Sequence, residues 1–159
     1  MSVIPDAQLG DLDLDSFDAL AVPGGFEGTG FYADAYSDDF ARTIRHFEAK
    51  GQPVASVCVA SLALGSVGVM RGRRATTYHQ VGGRRKAQLE AFGATFVVEA
   101  IVEDHGLITS TGPGTSVEVS FKLLAALTTA ENAAHIRQLM RIPPASQTWR
   151  SAPQVSTAA

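Results

Sequence analysis

Short apolar runs and amphipathic stretches take turns along this chain, and that alternation constrains its fold more than any other feature. Residues 17–22 (FDALAV) are a brief apolar run that stops at Pro23-Gly24-Gly25, the pattern of a buried strand entering a loop. Residues 37–50 predict a helix: Ser37 can cap it, Asp38 and Asp39 suit its positive end, and Phe40, Ile44 and Phe47 share a face before Gly51 ends it. Residues 54–57 read as a second buried strand and 60–67 as helix. A third strand is expected over 75–78, and a helix over 84–92 with Gly93 as its stop. Residues 95–98 and 101–109 read as extended, and Asp104-His105-Gly106 breaks the second run into a hairpin. Gly112-Pro113-Gly114 makes a turn. Residues 116–127 form a helix with Val117, Phe121 and Leu124 on its inner face, and Thr129 caps a last helix ending near Met140. Strands alternating with helices predict an α/β domain with a mainly parallel sheet. The domain is expected over 1–142, with 143–159, rich in Pro, Ser, Ala and Gln, as a disordered tail.

At 159 residues the chain is long enough for one buried core. Its net charge of −3 gives no general reason to bind nucleic acid or an anionic membrane. The charge is unevenly spread, with nine acids and no Lys or Arg in residues 1–40. Six basic residues fall between Arg71 and Lys86, which is either a solvated face or an anion-binding patch. The longest uncharged run, 54–70, has 17 residues and contains Ser56, Ser61, Gly65, Ser66 and Gly68, too polar to span a bilayer. With no basic and apolar leader at its start, the chain reads as a cytoplasmic protein without membrane or nucleic-acid partners.

One cysteine excludes an intrachain disulfide framework and a multi-cysteine zinc cluster, and four scattered histidines do not complete a metal site. That cysteine, Cys58, stands between a strand and a helix. A residue there sits on a sharp turn with its side chain presented at the top of the sheet, the geometry of a nucleophile elbow. The helix start beside it favours thiolate and should lower the thiol pKa, and the Val59 N–H can help hold an oxyanion. The alternative is a buried, inert core cysteine. The glycine pair after residue 22 lets backbone N–H groups face a ligand.

AVPGG (21–25), ASVCVASLALGSVGVMRGRRATTYH (55–79) and GLITSTGPGTSVEVSFKLLAAL (106–127) together resemble the ThiJ/PfpI superfamily, in order, over residues 17–140. The resemblance implies a flavodoxin-like three-layer α/β sandwich of the class I glutamine amidotransferase-like kind. It implies a homodimer with no metal or organic cofactor, Cys58 as nucleophile, and the N–H groups of Gly25 and Val59 as the oxyanion site. Gly24, Glu27, Tyr78 and His79 are the further candidates for the pocket, His79 as a rim acid or base. Members of this superfamily carry out isocyanide hydration, glyoxalase and deglycase chemistry and amide hydrolysis, or act in redox sensing, stress response and chaperoning.

The chain also departs from the family pattern. It opens near the strand at 17–22, without the strand–helix–strand unit that carries the acid partner of the cysteine. Glu27 and Glu118 are the acids nearest the site motifs, Glu118 reading as a favourable charge at a helix start. Val59 after the cysteine argues against a Cys-His peptidase, and no late His-x-Glu pair suggests an amidotransferase. The missing strand is expected to be central, leaving two strands without a neighbour and a chain that folds poorly alone or closes the gap with a partner. The expected function is a cysteine-dependent hydrolase, hydratase or lyase acting on a small electrophilic carbon. The alternatives are a non-catalytic redox-sensing or chaperone-like protein and an inactive truncated form.

Overall fold

The computed structural model describes residues 3–144, so the expected tail lies almost wholly outside the described residues. In chain order the elements are β1 (Leu20–Val22), α1 (Phe31–Ala35), α2 (Asp38–Ala49), β2 (Val54–Ser56), α3 (Ala60–Ser66) and β3 (Arg74–Ala75). They continue with α4 (Arg85–Ala91), β4 (Thr95–Phe96), β5 (Ile101–Asp104), β6 (Leu107–Ser110), α5 (Ser116–Leu127) and α6 (Ala130–Leu139).

The main sheet has the order β1-β2-β6-β5. β1, β2 and β6 run parallel, with Leu20 opposite Val54 and Val54 opposite Leu107, while β5 returns antiparallel to β6 through the expected hairpin. Side chains alternate across a strand, and this divides the core in two. Val54 and Leu107 pack with Ile44, Phe47, Leu62 and Leu89 from α2, α3 and α4. Ala55 and Ile108 point the other way, to Val119 of α5. The result is a three-layer, flavodoxin-like α/β sandwich.

Three differences from the sequence expectations have local causes. The first strand begins only at Leu20, because Leu14–Ser16 closes a 3₁₀ turn capped by Asp13, whose carboxylate accepts from the Asp15 N–H at 3.1 Å. The third strand ends at Ala75, because the next N–H, that of Thr76, donates to the Thr109 hydroxyl at 3.0 Å instead of to a ladder. Val117 is 49 % exposed and is not an inner-face residue. Helix α5 has two neighbours: Val119 and Leu123 meet the sheet, and Phe121 lies beneath the Arg137 guanidinium of α6 at 4.1 Å. Glu118, at the start of α5, also accepts a two-oxygen contact from Arg137, so its role exceeds that of a helix-start charge.

Among the described residues β1 pairs with β2 and β2 with β6, so the parallel ladder through these three strands is continuous, and no described strand pairs with β1 on its other side.

Candidate active site

Cys58 is set on a tight, strained connection. The Val57 N–H still donates to the Val22 carbonyl at 3.1 Å, and two residues after Cys58 the chain is already in α3. The turn between them is completed by Cys58 at φ 62°, a left-handed conformation that disfavours an L-residue by roughly 1–2 kcal/mol. The Cys58 carbonyl is held by the Thr77 hydroxyl and the Tyr78 N–H, each at 3.3 Å, and the Ser61 hydroxyl at 3.4 Å. Strain that persists in a native site is held by its surroundings, and these three donors are that restraint. Thr77 was not singled out in the sequence. The Thr-Thr pair that follows a basic stretch at a strand end was the available signal.

Gly24 comes so close to this turn that a Cβ on it would stand 2.7 Å from Cys58 Cβ and 2.9 Å from the Val57 carbonyl oxygen. A Cβ on Gly25 would meet Phe31 at 2.5 Å. Both positions therefore require glycine for close approach, not for an unusual φ. The Val59 N–H, next along the chain, favours the charged form of the Cys58 sulfur. Beside Cys58 a groove of about 400 Å³ runs between β1 and α5, walled by apolar side chains such as Val22, Phe26, Val57 and Val119, with Gly25 in its lining.

Burial in this apolar setting pushes the Cys58 thiol above its ordinary pKa, and the Val59 N–H and the Arg85 charge offset this only in part. The expected lowering is thus reversed, because desolvation of the thiolate outweighs one backbone donor and a nearby guanidinium. The fold favours the protonated thiol. Its stabilising contribution is therefore complete below the thiol pKa of the unfolded chain and is lost as pH rises through the higher folded value. Iodoacetamide alkylation of Cys58 is expected to keep accelerating at pH values where the denatured chain has reached its plateau. A folded profile that levels off first would contradict this assignment.

The other candidates fall in different places. Glu27 is held by Arg84, with contacts of 2.7 and 2.6 Å, and by Arg85 at 2.9 Å. The Arg84 and then the Arg85 hydrogen bonds hold its carboxyl below the usual range, so it is no proton donor to the sulfur. Tyr78 anchors the Cys58 carbonyl through its backbone, and its hydroxyl accepts from Gln80 at 2.7 Å. His79 Nδ1 lies 2.9 Å from the Thr77 carbonyl, so this nitrogen carries the proton, and the ring stands edge-on to Phe96 at 4.9 Å. His79 does not line the groove. The described residues contain no cluster of three or more side chains able to hold a metal, and no described helix is long and apolar enough to cross a membrane.

Residues 1–126, with the strained cysteine and its glycine pair, match the DJ-1/PfpI family. The chain belongs to this family. It is 31% identical over 123 residues to the protein dj-1beta of Drosophila melanogaster, covering 77% of this chain and 63% of that protein. It is also 31% identical over 136 residues to the isonitrile hydratase of Pseudomonas putida, covering 84% of this chain and 55% of the hydratase. The crystal structure of Drosophila melanogaster DJ-1beta superposes with a TM-score of 0.78 at 29% identity, over 89% of this chain and 73% of that one. The chain thus spans under two thirds of the length of these two curated relatives. The DJ-1/PfpI match covers the strands, turns and helices that build the Cys58 site.

Proposed function

We propose that this DJ-1/PfpI chain is a cysteine-dependent enzyme that acts on a small electrophilic carbon. The observation carrying this reading is Cys58 itself, a non-glycine residue kept at positive φ by three donors to its carbonyl, with its sulfur in the lining of the apolar groove. An inert core cysteine has no need of such a restraint.

In the reaction, the Cys58 thiol loses its proton and the sulfur lone pair forms an S–C bond to a carbonyl or isonitrile carbon. On a carbonyl the π electrons move to oxygen, and the N–H groups of Val59 and Gly25 would hold that charge. On an isonitrile they move to nitrogen, which becomes neutral, and the carbon takes up the proton given up by the thiol, leaving a thioimidate. Water then adds to that carbon and the thiolate leaves, taking back a proton, which yields the formamide. On a 2-oxoaldehyde the hydrogen of the hemithioacetal carbon shifts to the neighbouring carbonyl carbon, giving a thioester that water hydrolyses with return of the thiol. The apolar groove beside Cys58 supports a small organic substrate. A homodimer in the cytoplasm is part of the same reading. Light scattering is expected to give twice the chain mass, and a monomeric mass would remove the dimer from it.

The test is turnover of methylglyoxal and p-nitrophenyl isocyanide by the protein and by its Cys58→Ser variant. Turnover of either substrate that disappears in the variant supports the enzyme. Turnover that survives the substitution, or none in the parent protein, refutes it.

A further inference from the structure

The basic residues 84 and 85 are not merely a solvated face. Both guanidiniums converge on a single carboxylate, that of Glu27, just two residues beyond the Gly25 of the cysteine site. The two arginines differ in setting. The Arg84 side chain is 63% exposed, whereas that of Arg85 is only 18% exposed. Arg85 is stacked over the Tyr32 ring at 4.7 Å and is further anchored by Gln88 at 3.0 Å. Tyr32 and its neighbour Phe31 pack in the same cluster as Cys58, and Phe31 abuts Gly25. The Tyr32 hydroxyl is buried and has no hydrogen-bond partner among the described residues.

We propose that Arg85, with Arg84, is the subsite for a carboxylate on the substrate, and that Glu27 occupies it as an internal stand-in when no substrate is bound. This rests on Cys58 being the reacting group and specifies the substrate class: small carbonyl compounds that carry a carboxylate, such as 2-oxo acids and aldehyde acids. The guanidinium fork matches a carboxylate geometrically, and Arg85 is shielded enough for the match to discriminate. The Tyr32 hydroxyl, on the ring stacked with the guanidinium, is a buried donor without an acceptor among the described residues. Arg84, Arg85 and Tyr32 do not line the groove itself, and the subsite adjoins it through Phe31 against Gly25. The substrate would bond the sulfur through its reacting carbon while its carboxylate reaches Arg85, whose charge acts on the Cys58 thiol. The exposed Glu27 competes for the same arginines, so it sets the threshold for anion entry instead of sealing the subsite.

The experiment compares alkylation of Cys58 by iodoacetate and by iodoacetamide. In each reaction the thiolate sulfur forms an S–CH₂ bond and iodide leaves. The reagents differ in a carboxylate against an amide, and no enzymatic turnover is required. The same thiolate attacks both, so the ratio of their rates cancels any change in the thiol pKa caused by losing Arg85. The iodoacetate to iodoacetamide ratio is expected to be about tenfold higher in the folded protein than in the urea-unfolded chain, the scale of one charge-assisted hydrogen bond. Arg85→Gln should return it to the unfolded value, Arg85→Lys should restore part of it, and Glu27→Gln should raise it above the parent. A ratio that Arg85→Gln leaves unchanged, or that Glu27→Gln lowers, overturns the subsite. Absence of methylglyoxal or isocyanide turnover with the ratio intact would instead overturn the catalytic reading and leave the anion subsite standing.

Discussion

Cys58→Ser is expected to reduce turnover by a factor of about 10³ or more, because a serine hydroxyl lacks the nucleophilicity of sulfur and no base positioned to activate it lines the groove among the described residues. The thermal midpoint should hardly move, since serine keeps the Cβ and nearly the size of the thiol. Glycine at the same position separates chemistry from stability. At φ 62° any Cβ is disfavoured, so Cys58→Gly should be more stable than Cys58→Ala by about 1 kcal/mol although both are inactive. Calorimetry on the two variants checks this. A glycine variant less stable than the alanine variant would show that the turn is not strained. Function at the expense of local stability is then confined to this one residue.

Gly24→Ala should have the largest effect on structure. Its new Cβ would be 2.7 Å from Cys58 Cβ and 2.9 Å from the Val57 carbonyl oxygen, both rigidly attached to the reactive turn. Neither contact can be relieved by rotating a side chain, so the ends of β1 and β2 must separate. Overpacking of this kind typically destabilises by about 1–3 kcal/mol, or roughly 3–10 °C in the midpoint. The same separation displaces Cys58 from the N–H groups that would hold the anion, so turnover should fall at least about tenfold. Gly28→Ala is the matched control, because a Cβ there meets nothing within 4 Å. Equal midpoints for the two variants would refute the close approach.

The main elements were legible because their signals are local. The hairpin showed in Asp104-His105-Gly106, where His105 and Gly106 take φ values of 47° and 83°. The helix over 37–50 showed in its cap, and Ser37 does accept from the Phe40 N–H at 3.3 Å. The inner face of α5 was misread at Val117 because helical periodicity describes one stripe, and α5 buries two. The thiol pKa was misread for a related reason. A helix start is visible in sequence, but the depth of apolar wall around Cys58 is not. Arg85 was seen only as one of six clustered basic residues, since nothing along the chain brings position 85 to position 27.

The sequence by itself determined the α/β alternation, the strand-to-helix position of Cys58 and the need for glycine beside it. These follow from which residues are neighbours in the chain and from the backbone conformations they allow. The tertiary structure decided how β1 registers on β2, that Thr77 and Ser61 pin the cysteine, that its thiol is raised in pKa, and that Glu27 is held by two arginines. Each of these depends on groups distant in sequence meeting in space. Around Cys58 they meet in a medium less polar than water, where desolvation acts far more strongly than in the unfolded chain, whereas Glu27 is exposed and its contacts rest on geometry.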